Sequence, residues 1–104
     1  MQKSIRNLIW LIGISCMLLM VPSGQAEKLS QGAMLGITCA GCHGTDGKSP
    51  GAIPSIHGKT ADFIKSSLLE FRSGSRASTV MGRHAKGYSE AEIELIAEYF
   101  SSIK

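Results

Sequence analysis

Apolar residues recur at helical spacing in three stretches of the chain, and segments rich in glycine and short polar residues separate these stretches. The first runs from Glu27 to about Cys42, the second lies between Thr60 and Gly74, and the third follows Ser89. Apolar residues three or four positions apart line one face of an amphipathic helix. The pattern therefore predicts an all-α domain of three to four helices.

The ends of the predicted helices carry residues that favour helix termini. Thr60 fits an N-cap ahead of the second helix, and Gly74 fits its stop. Ser89 and the glutamate three positions later have the spacing of a capping box at the start of the last helix. Because segments 44–58 and 74–87 hold glycines and short polar residues, we predict that both are irregular.

Gly32 and Gly36 place two small residues on one stripe of the first helix. Since glycine lowers helix propensity by up to ~1 kcal/mol, we interpret the pair as a site where another helix crosses closely, rather than as chance helix breakers. The last helix is the candidate, through Ala97 and its aromatic residues. Met34, at helical spacing with the other apolar residues of the first helix, is interpreted as a core residue.

The first quarter of the chain differs in composition from the rest. Lys3 and Arg6 are followed by an apolar run over residues 8–21 and by small residues at 24–26, which is the pattern of a secretory signal peptide. We therefore predict a cleaved signal peptide at 1–26 and a periplasmic location. The apolar run is shorter than the ~20 residues that span a bilayer, so a retained membrane anchor is the less favoured alternative.

Cleavage would leave residues 27–104 as a single small domain. The chain has 11 Lys and Arg, two of them in the predicted signal peptide, against 8 Asp and Glu, so the mature domain is nearly neutral. This balance gives no support for a nucleic-acid partner, and none is expected.

No membrane association is expected after cleavage either. Lipidation of Cys16 is a disfavoured alternative, because apolar residues continue after it.

The strongest chemical signal is the run Cys39-Ala40-Gly41-Cys42-His43. Two cysteines separated by two residues and followed by histidine are typical of a covalent haem c attachment site, in which the histidine binds the iron. A disulfide or half of a zinc site is the alternative, but a zinc site needs further ligands and no cysteine follows Cys42. The run therefore predicts one haem c, held by thioether bonds at Cys39 and Cys42 and by an axial bond from His43.

A haem would also complete the core. An apolar core alone is marginal in a domain of this size, and a porphyrin is the largest apolar surface that these helices could bury. We therefore expect the apo chain to be poorly folded. Segment 44–58 is expected to pass beneath the porphyrin, where the Pro54 carbonyl can accept a hydrogen bond from the second ring nitrogen of His43. A proline that only stiffens a turn is the alternative for Pro54.

The other face of the iron is filled by a side chain or by water, or is left open, and this choice separates electron carriers from haem sensors and peroxidases. The mature domain offers four candidates for a sixth ligand: Met34, Met81, His57 and His84. Met34 is too close to the attachment site, and His57 belongs to the loop on the His43 side. Met81 lies far downstream in a segment that can cross to the other face. It is therefore preferred over His84.

Several motifs of this chain resemble those of bacterial class I c-type cytochromes, and together they cover nearly the whole mature domain. They are C-x-x-C-H-G-x-x-G from Cys39, A-I-P-S-I-x-G from Ala52, F-R-S-G from Phe71, and a single methionine, Met81, ahead of the capped C-terminal helix.

The class implies a small all-α fold in which helices and loops wrap around one covalently bound haem. It further implies His43 and Met81 as the axial ligands and the Pro54 carbonyl as the acceptor behind His43. Only one C-x-x-C-H is present, so dihaem relatives are excluded. His84 departs from the class, in which an apolar residue is expected at that position.

Within this class, residues 78–89 are similar to the cytochrome subunit of flavocytochrome c sulfide dehydrogenase. This resemblance implies an FAD-containing sulfide dehydrogenase subunit as the partner, which oxidises sulfide and passes single electrons to this domain. A free-standing carrier between a quinol-oxidising complex and a terminal oxidase would use the same residues. A haem sensor or peroxidase with an open sixth site and a thiol-redox protein are further alternatives. The chain has no paired carboxylates, nucleophile or phosphate-binding loop, so we do not expect it to be an enzyme by itself.

Overall fold

The computed structural model describes residues 23–104, and within this range the chain forms four α-helices and no strand. The helices are α1 (Ser23–His43), α2 (Ala61–Ser73), α3 (Met81–Lys86) and α4 (Glu90–Ser102), with a short 3-10 turn at Thr45–Gly47. The predicted all-α class and helix number are confirmed. The predicted signal peptide lies outside the described residues except for 23–26, which begin α1, so its cleavage stays a prediction. None of these helices is long and apolar enough to cross a bilayer.

The helices α1 and α4 pack against each other through the two glycines of α1. A Cβ atom added to Gly32 would lie 2.8 Å from Tyr99 Cβ and would also meet the Leu95 carbonyl, and one added to Gly36 would lie 3.0 Å from the Phe100 ring. Real Cβ atoms do not approach as closely as at Gly32, and the contact at Gly36 is tighter than most, so the α1–α4 contact requires glycine at Gly32 and favours it at Gly36. The predicted close crossing of the first and last helices is therefore confirmed.

This contact can be tested by adding a single methyl group. We expect Gly32→Ala to destabilise the protein by about 1–3 kcal/mol, because the new Cβ overpacks the α1–α4 interface. Gly41→Ala is the matched control, since Gly41 lies on the same helix with no atom near its would-be Cβ. It should leave the free energy of unfolding unchanged or raise it by up to ~1 kcal/mol through helix propensity. Urea unfolding of the two variants measures both values, and equal stability would contradict the interface.

A small apolar core lies between α2, α3 and α4. Seven side chains are buried in it: Ile64, Leu68, Ala85, Ile93, Ile96, Ala97 and Phe100. The helix α1 adds the buried backbone of Gly32 and Gly36, but only half-buried side chains, among them Leu35 and Cys39. Few side chains are therefore fully removed from water, as a domain of this size allows.

Met34 lies outside this core, so its interpretation as a core residue is wrong. Its side chain is 71% exposed, and that of Ile37 is 69% exposed. An α-helix has 3.6 residues per turn, so residues two positions apart lie on opposite sides of it. Gly32 and Gly36 face α4, and Met34, two positions from each, therefore lies on the opposite side. Met34 and Ile37 thus form an outer face of α1, while Gly32 and Gly36 lie on its packing face.

The ends of α2 and α4 match the sequence. Thr60 Oγ1 accepts a hydrogen bond from the Phe63 N–H at 3.2 Å, and Gly74 ends α2 in the left-handed conformation with φ 82°. The Ser89 N–H donates to Glu92 Oε2 at 2.8 Å, while the Glu92 N–H donates to Ser89 Oγ at 3.2 Å. The hydrogen bond that the Ser89 N–H donates to the carboxylate, with a smaller contribution from the Ser89 side chain, holds the pKa of Glu92 below its ordinary value. The predicted N-cap, stop and capping box are confirmed.

Segment 74–87 is not irregular throughout, because its second half forms α3. The N–H groups of Arg83 and His84 donate to the Val80 carbonyl, and the Gly82 N–H donates to Ser78 Oγ at 2.9 Å. Ala85 is fully buried where α3 packs on α2. A helix of little more than one turn, anchored by one small buried residue, is too short to show apolar periodicity in the sequence.

Candidate functional site

The five residues predicted to form a site line one cleft of about 750 Å³. Cys39, Cys42 and His43 come from the last turn of α1, Pro54 from the following loop, and Met81 from the first turn of α3. One face of α2 and the side chain of Ile96 on α4 also line the cleft. Its volume falls within the range of roughly 300–1,000 Å³ that is typical of small-molecule and cofactor sites.

His43 is the last residue of α1 and is held by the loop that follows. Its Nδ1 lies 2.6 Å from the Pro54 carbonyl oxygen. A carbonyl oxygen can only accept, so Nδ1 carries the proton and Nε2 keeps a free lone pair. A histidine that binds a metal normally has its other ring nitrogen fixed in this way.

The loop reaches His43 because it folds back at Gly47. The Gly47 carbonyl accepts hydrogen bonds from the N–H groups of Ile56 and His57, at 3.0 and 3.1 Å. Gly47 has φ 72°, and a Cβ there would lie 2.6 Å from the Ile56 side chain, so the turn favours glycine on both counts. The Ser49 N–H also donates to Ser55 Oγ at 2.9 Å. These bonds place the Pro54 carbonyl opposite the end of α1.

Cys39 and Cys42 are free thiols on the last turn of α1, half-buried and exposed respectively. Burial raises the pKa of the Cys39 thiol above its ordinary value, and a hydrogen bond with the Thr38 side chain offsets this only in part. Thiol-redox proteins with C-x-x-C motifs instead lower the pKa of one cysteine to expose a thiolate. The environment of Cys39 therefore disfavours the thiol-redox alternative.

Met81 and His84 both line the cleft, but they differ in burial. Met81 is half-buried and packs against the apolar core, whereas His84, one turn further along α3, is exposed. A soft thioether that already faces an apolar cleft is better placed to meet a bound ligand than an imidazole in solvent.

Exposed apolar side chains gather around the cleft and fit a large apolar ligand. Six large apolar side chains are exposed in the described part of the chain, and three of them line the cleft: Ile53, Phe63 and Val80. Contiguous apolar exposure of this kind marks a binding site. Phe63 is 48% exposed and lines the cleft, so it lies outside the buried core.

Sequence reasoning missed two features of the cleft. Phe63, Ser67 and Phe71 line it from α2, and their spacing of four residues marks a second face beside the buried one. Tyr88 also lines the cleft, and its hydroxyl lies 2.6 Å from Thr38 Oγ1. This bond ties α1 to the segment between α3 and α4, and so links the cysteine wall of the cleft to the Met81 wall.

An all-α domain that places C-x-x-C-H and a methionine on the walls of one apolar cleft has the layout of a covalent haem protein. Residues 29–104 match the family model described as Cytochrome c. The chain belongs to the cytochrome c family. Membership implies covalently bound haem c, and Cys39 and Cys42 fit its attachment motif.

Three proteins with known names are similar to this chain over most of the mature domain. The chain is 60% identical over 82 residues to the cytochrome subunit of sulfide dehydrogenase from Chlorobaculum tepidum, covering 79% of this chain and 74% of that protein. It is 39% identical over 69 residues to cytochrome c-554(548) of Halomonas halodenitrificans, covering 62% of this chain and 83% of the relative. It is 33% identical over 69 residues to the thiosulfate dehydrogenase electron acceptor of Stutzerimonas stutzeri, covering 62% of this chain but only 32% of that protein. The family and the first relative support electron transfer as the function.

Proposed function

We propose that this protein is the electron-accepting cytochrome subunit of an FAD-containing sulfide dehydrogenase, exported to the periplasm after cleavage of residues 1–26. The observation that carries the proposal is the 60% identity over 82 residues to a protein named as such a subunit. The proposed reaction is oxidation of sulfide by the flavoprotein, which then passes electrons singly to this domain. A soluble acceptor removes them.

Each site residue has a distinct part in this proposal. Cys39 and Cys42 would hold the haem at the end of α1, and His43 Nε2 and Met81 would be the ligands of its iron. The hydrogen bond from His43 Nδ1 to the Pro54 carbonyl supports this assignment, because it fixes the ring and frees Nε2. When bound, the group supplies a one-electron couple. The chain sets its potential through the ligands and through burial.

The outer face of α1 supports a permanent partner rather than a transient one. Between Leu29 and Cys42 the chain has no Asp, Glu, Lys or Arg, yet Met34 and Ile37 are 71% and 69% exposed. A bound haem would not cover these two side chains, because they do not line the cleft. We propose that the flavoprotein subunit packs on this face, which ends at the exposed Cys42 beside the haem.

Basic residues near the cleft can attract the partner protein electrostatically before it docks. Arg83 and Lys86 are exposed on α3 and form no salt bridge with another described residue. Arg76 is less available, because its Nη1 donates to Ser67 Oγ at 2.9 Å and its guanidinium lies 4.9 Å from the centre of the Phe71 ring. Arg83 and Lys86 therefore favour an acidic partner surface, and they act on the rate of encounter more than on affinity.

The proposal is tested by mixing the matured cytochrome with the candidate flavoprotein subunit and adding sulfide. The expected result is prompt reduction of the haem, at a rate that falls as salt is raised. The two proteins should also co-purify with flavin absorbance. A haem that stays oxidised in this mixture, but is reduced by a quinol-oxidising complex, would identify a free-standing carrier.

Docking of the flavoprotein subunit on the outer face of α1 predicts that charges placed on this face weaken the complex. We expect Met34→Lys combined with Ile37→Lys to weaken the complex by at least about tenfold, because two charges would be buried against an apolar surface. The absorption spectrum of the haem should not change. Ser66→Lys combined with Ser102→Lys adds the same charge at exposed sites on α2 and α4 and is the control. Equal dissociation constants for the two double variants would contradict docking on α1.

A further inference from the structure

The two helices that carry the proposed iron ligands do not pack extensively on each other. Among the described residues, α1 packs on α4, and α2 packs on both α3 and α4. His43 ends α1 and Met81 begins α3, so the two side chains are held relative to each other mainly through α2, α4 and the core between them. A direct bond between α1 and the wall that carries Met81 would therefore change how firmly the cleft is held closed.

Tyr88 supplies such a bond. Its N–H donates to the Ala85 carbonyl at 3.3 Å, which fixes the residue to the end of α3. Its hydroxyl lies 2.6 Å from the Oγ1 of Thr38, the residue of α1 that precedes Cys39. Thr38 Oγ1 donates to the Leu35 carbonyl at 3.3 Å, which leaves its lone pairs to accept from Tyr88. Both side chains line the cleft.

The other contacts of the Met81 wall do not reach α1. Ala85 is buried where α3 packs on α2, and Arg76, in the segment before α3, donates to Ser67 Oγ on α2 at 2.9 Å. A movement of α3 together with α2 away from α1 would leave both contacts intact. The same movement must break the bond between Tyr88 and Thr38.

We propose that the Tyr88–Thr38 hydrogen bond keeps Met81 in its place as the sixth ligand, which makes Tyr88 a positioning residue. Another ligand can take the position of Met81 only after the Met81 side chain has moved away, and the bond opposes this movement because it ties α3 to α1. The inference rests on the proposed ligation by Met81 and not on the identity of the partner protein.

The test is displacement of Met81 by imidazole in the oxidised holoprotein, followed through loss of the near-infrared sulfur-to-iron band. Tyr88→Phe removes only the hydroxyl, and we expect it to bind imidazole about two- to tenfold more tightly, which is the effect of losing one neutral hydrogen bond. Tyr99→Phe is the matched control, because Tyr99 packs in the α1–α4 contact and does not line the cleft. It should bind imidazole as the wild type does.

Variants of Thr38 show whether the effect belongs to this bond. Thr38→Val removes the partner hydroxyl and should match Tyr88→Phe, whereas Thr38→Ser keeps a hydroxyl and should stay close to the wild type. The double variant with Tyr88→Phe and Thr38→Val should bind imidazole no more tightly than either single variant, because both changes break the same bond.

Equal imidazole dissociation constants for the wild type and Tyr88→Phe would overturn the proposal, and so would additive effects in the double variant. Urea unfolding of the same proteins identifies a role in folding alone. If Tyr88→Phe lost stability but kept the wild-type affinity for imidazole, Tyr88 would not position the ligand. A wild-type protein without the near-infrared band would contradict ligation by Met81 and this inference with it, whereas the other outcomes bear on Tyr88 alone.

Discussion

Replacing Cys39 and Cys42 together by alanine should abolish both the colour of the protein and its cooperative unfolding. The thioether bonds are the only covalent link that the attachment motif provides, so no haem would survive denaturing electrophoresis. The folding defect follows from the core. Among residues 23–104 only seven apolar side chains are buried, and Ile53, Phe63 and Val80 stay exposed around the cleft until an apolar group covers them.

The measurement is a haem stain of a denaturing gel, combined with thermal unfolding followed by circular dichroism. Ser66→Ala combined with Ser102→Ala is the matched control, because it changes two exposed helix residues outside the C-x-x-C-H run. We expect this control to keep the stain and the transition. A Cys39→Ala, Cys42→Ala protein that unfolds at the wild-type temperature would show that the apolar core is sufficient without the cofactor.

The parts of the fold that could be predicted from sequence depend on local chemistry. The capping box at Ser89, the N-cap at Thr60 and the stop at Gly74 each act within a few residues, so their spacing is sufficient evidence. The attachment run is equally local, because one helical turn carries all of its side chains. Gly32 and Gly36 predicted a non-local feature, the contact between α1 and the last helix. Two costly glycines in one helix require a compensating contact, and α4 provides it.

The parts that could not be predicted depend on which face of a helix meets its neighbours. Met34 and Ile37 have the spacing of residues that face a core. The packing of α1 against α4 is decided by Gly32 and Gly36 instead, so the side chains of Met34 and Ile37 face outwards. The place of Phe63 in the cleft could not be predicted either, because the cleft exists only after α2, α3 and α1 have come together. The short helix α3 is stabilised by the burial of Ala85 on α2, a tertiary contact with no periodic signature.

On α3, Met81 is half-buried and His84 is exposed, so we expect Met81 to be the sixth ligand of the iron. This assignment can be tested by spectroscopy. We expect Met81→Ala to remove the weak near-infrared sulfur-to-iron band of the oxidised protein. Its midpoint potential should fall by on the order of tenths of a volt, within the ~0.8 V range over which axial ligands set haem potentials. The physical reason is that a thioether stabilises ferrous iron, and water or a nitrogen ligand in its place does so less.

Two variants make this result specific to Met81. Met34→Ala removes an exposed methionine on the far side of α1 and should keep the band and the potential. His84→Ala removes the exposed imidazole one turn along the same helix and should also leave both unchanged, because His84 lies in solvent while Met81 packs on the core. If the wild-type protein lacked this band, and His84→Ala altered the spectrum and the potential while Met81→Ala left both unchanged, the axial ligand would be the histidine, and the half-buried thioether of Met81 would serve only as packing between α3 and the cleft.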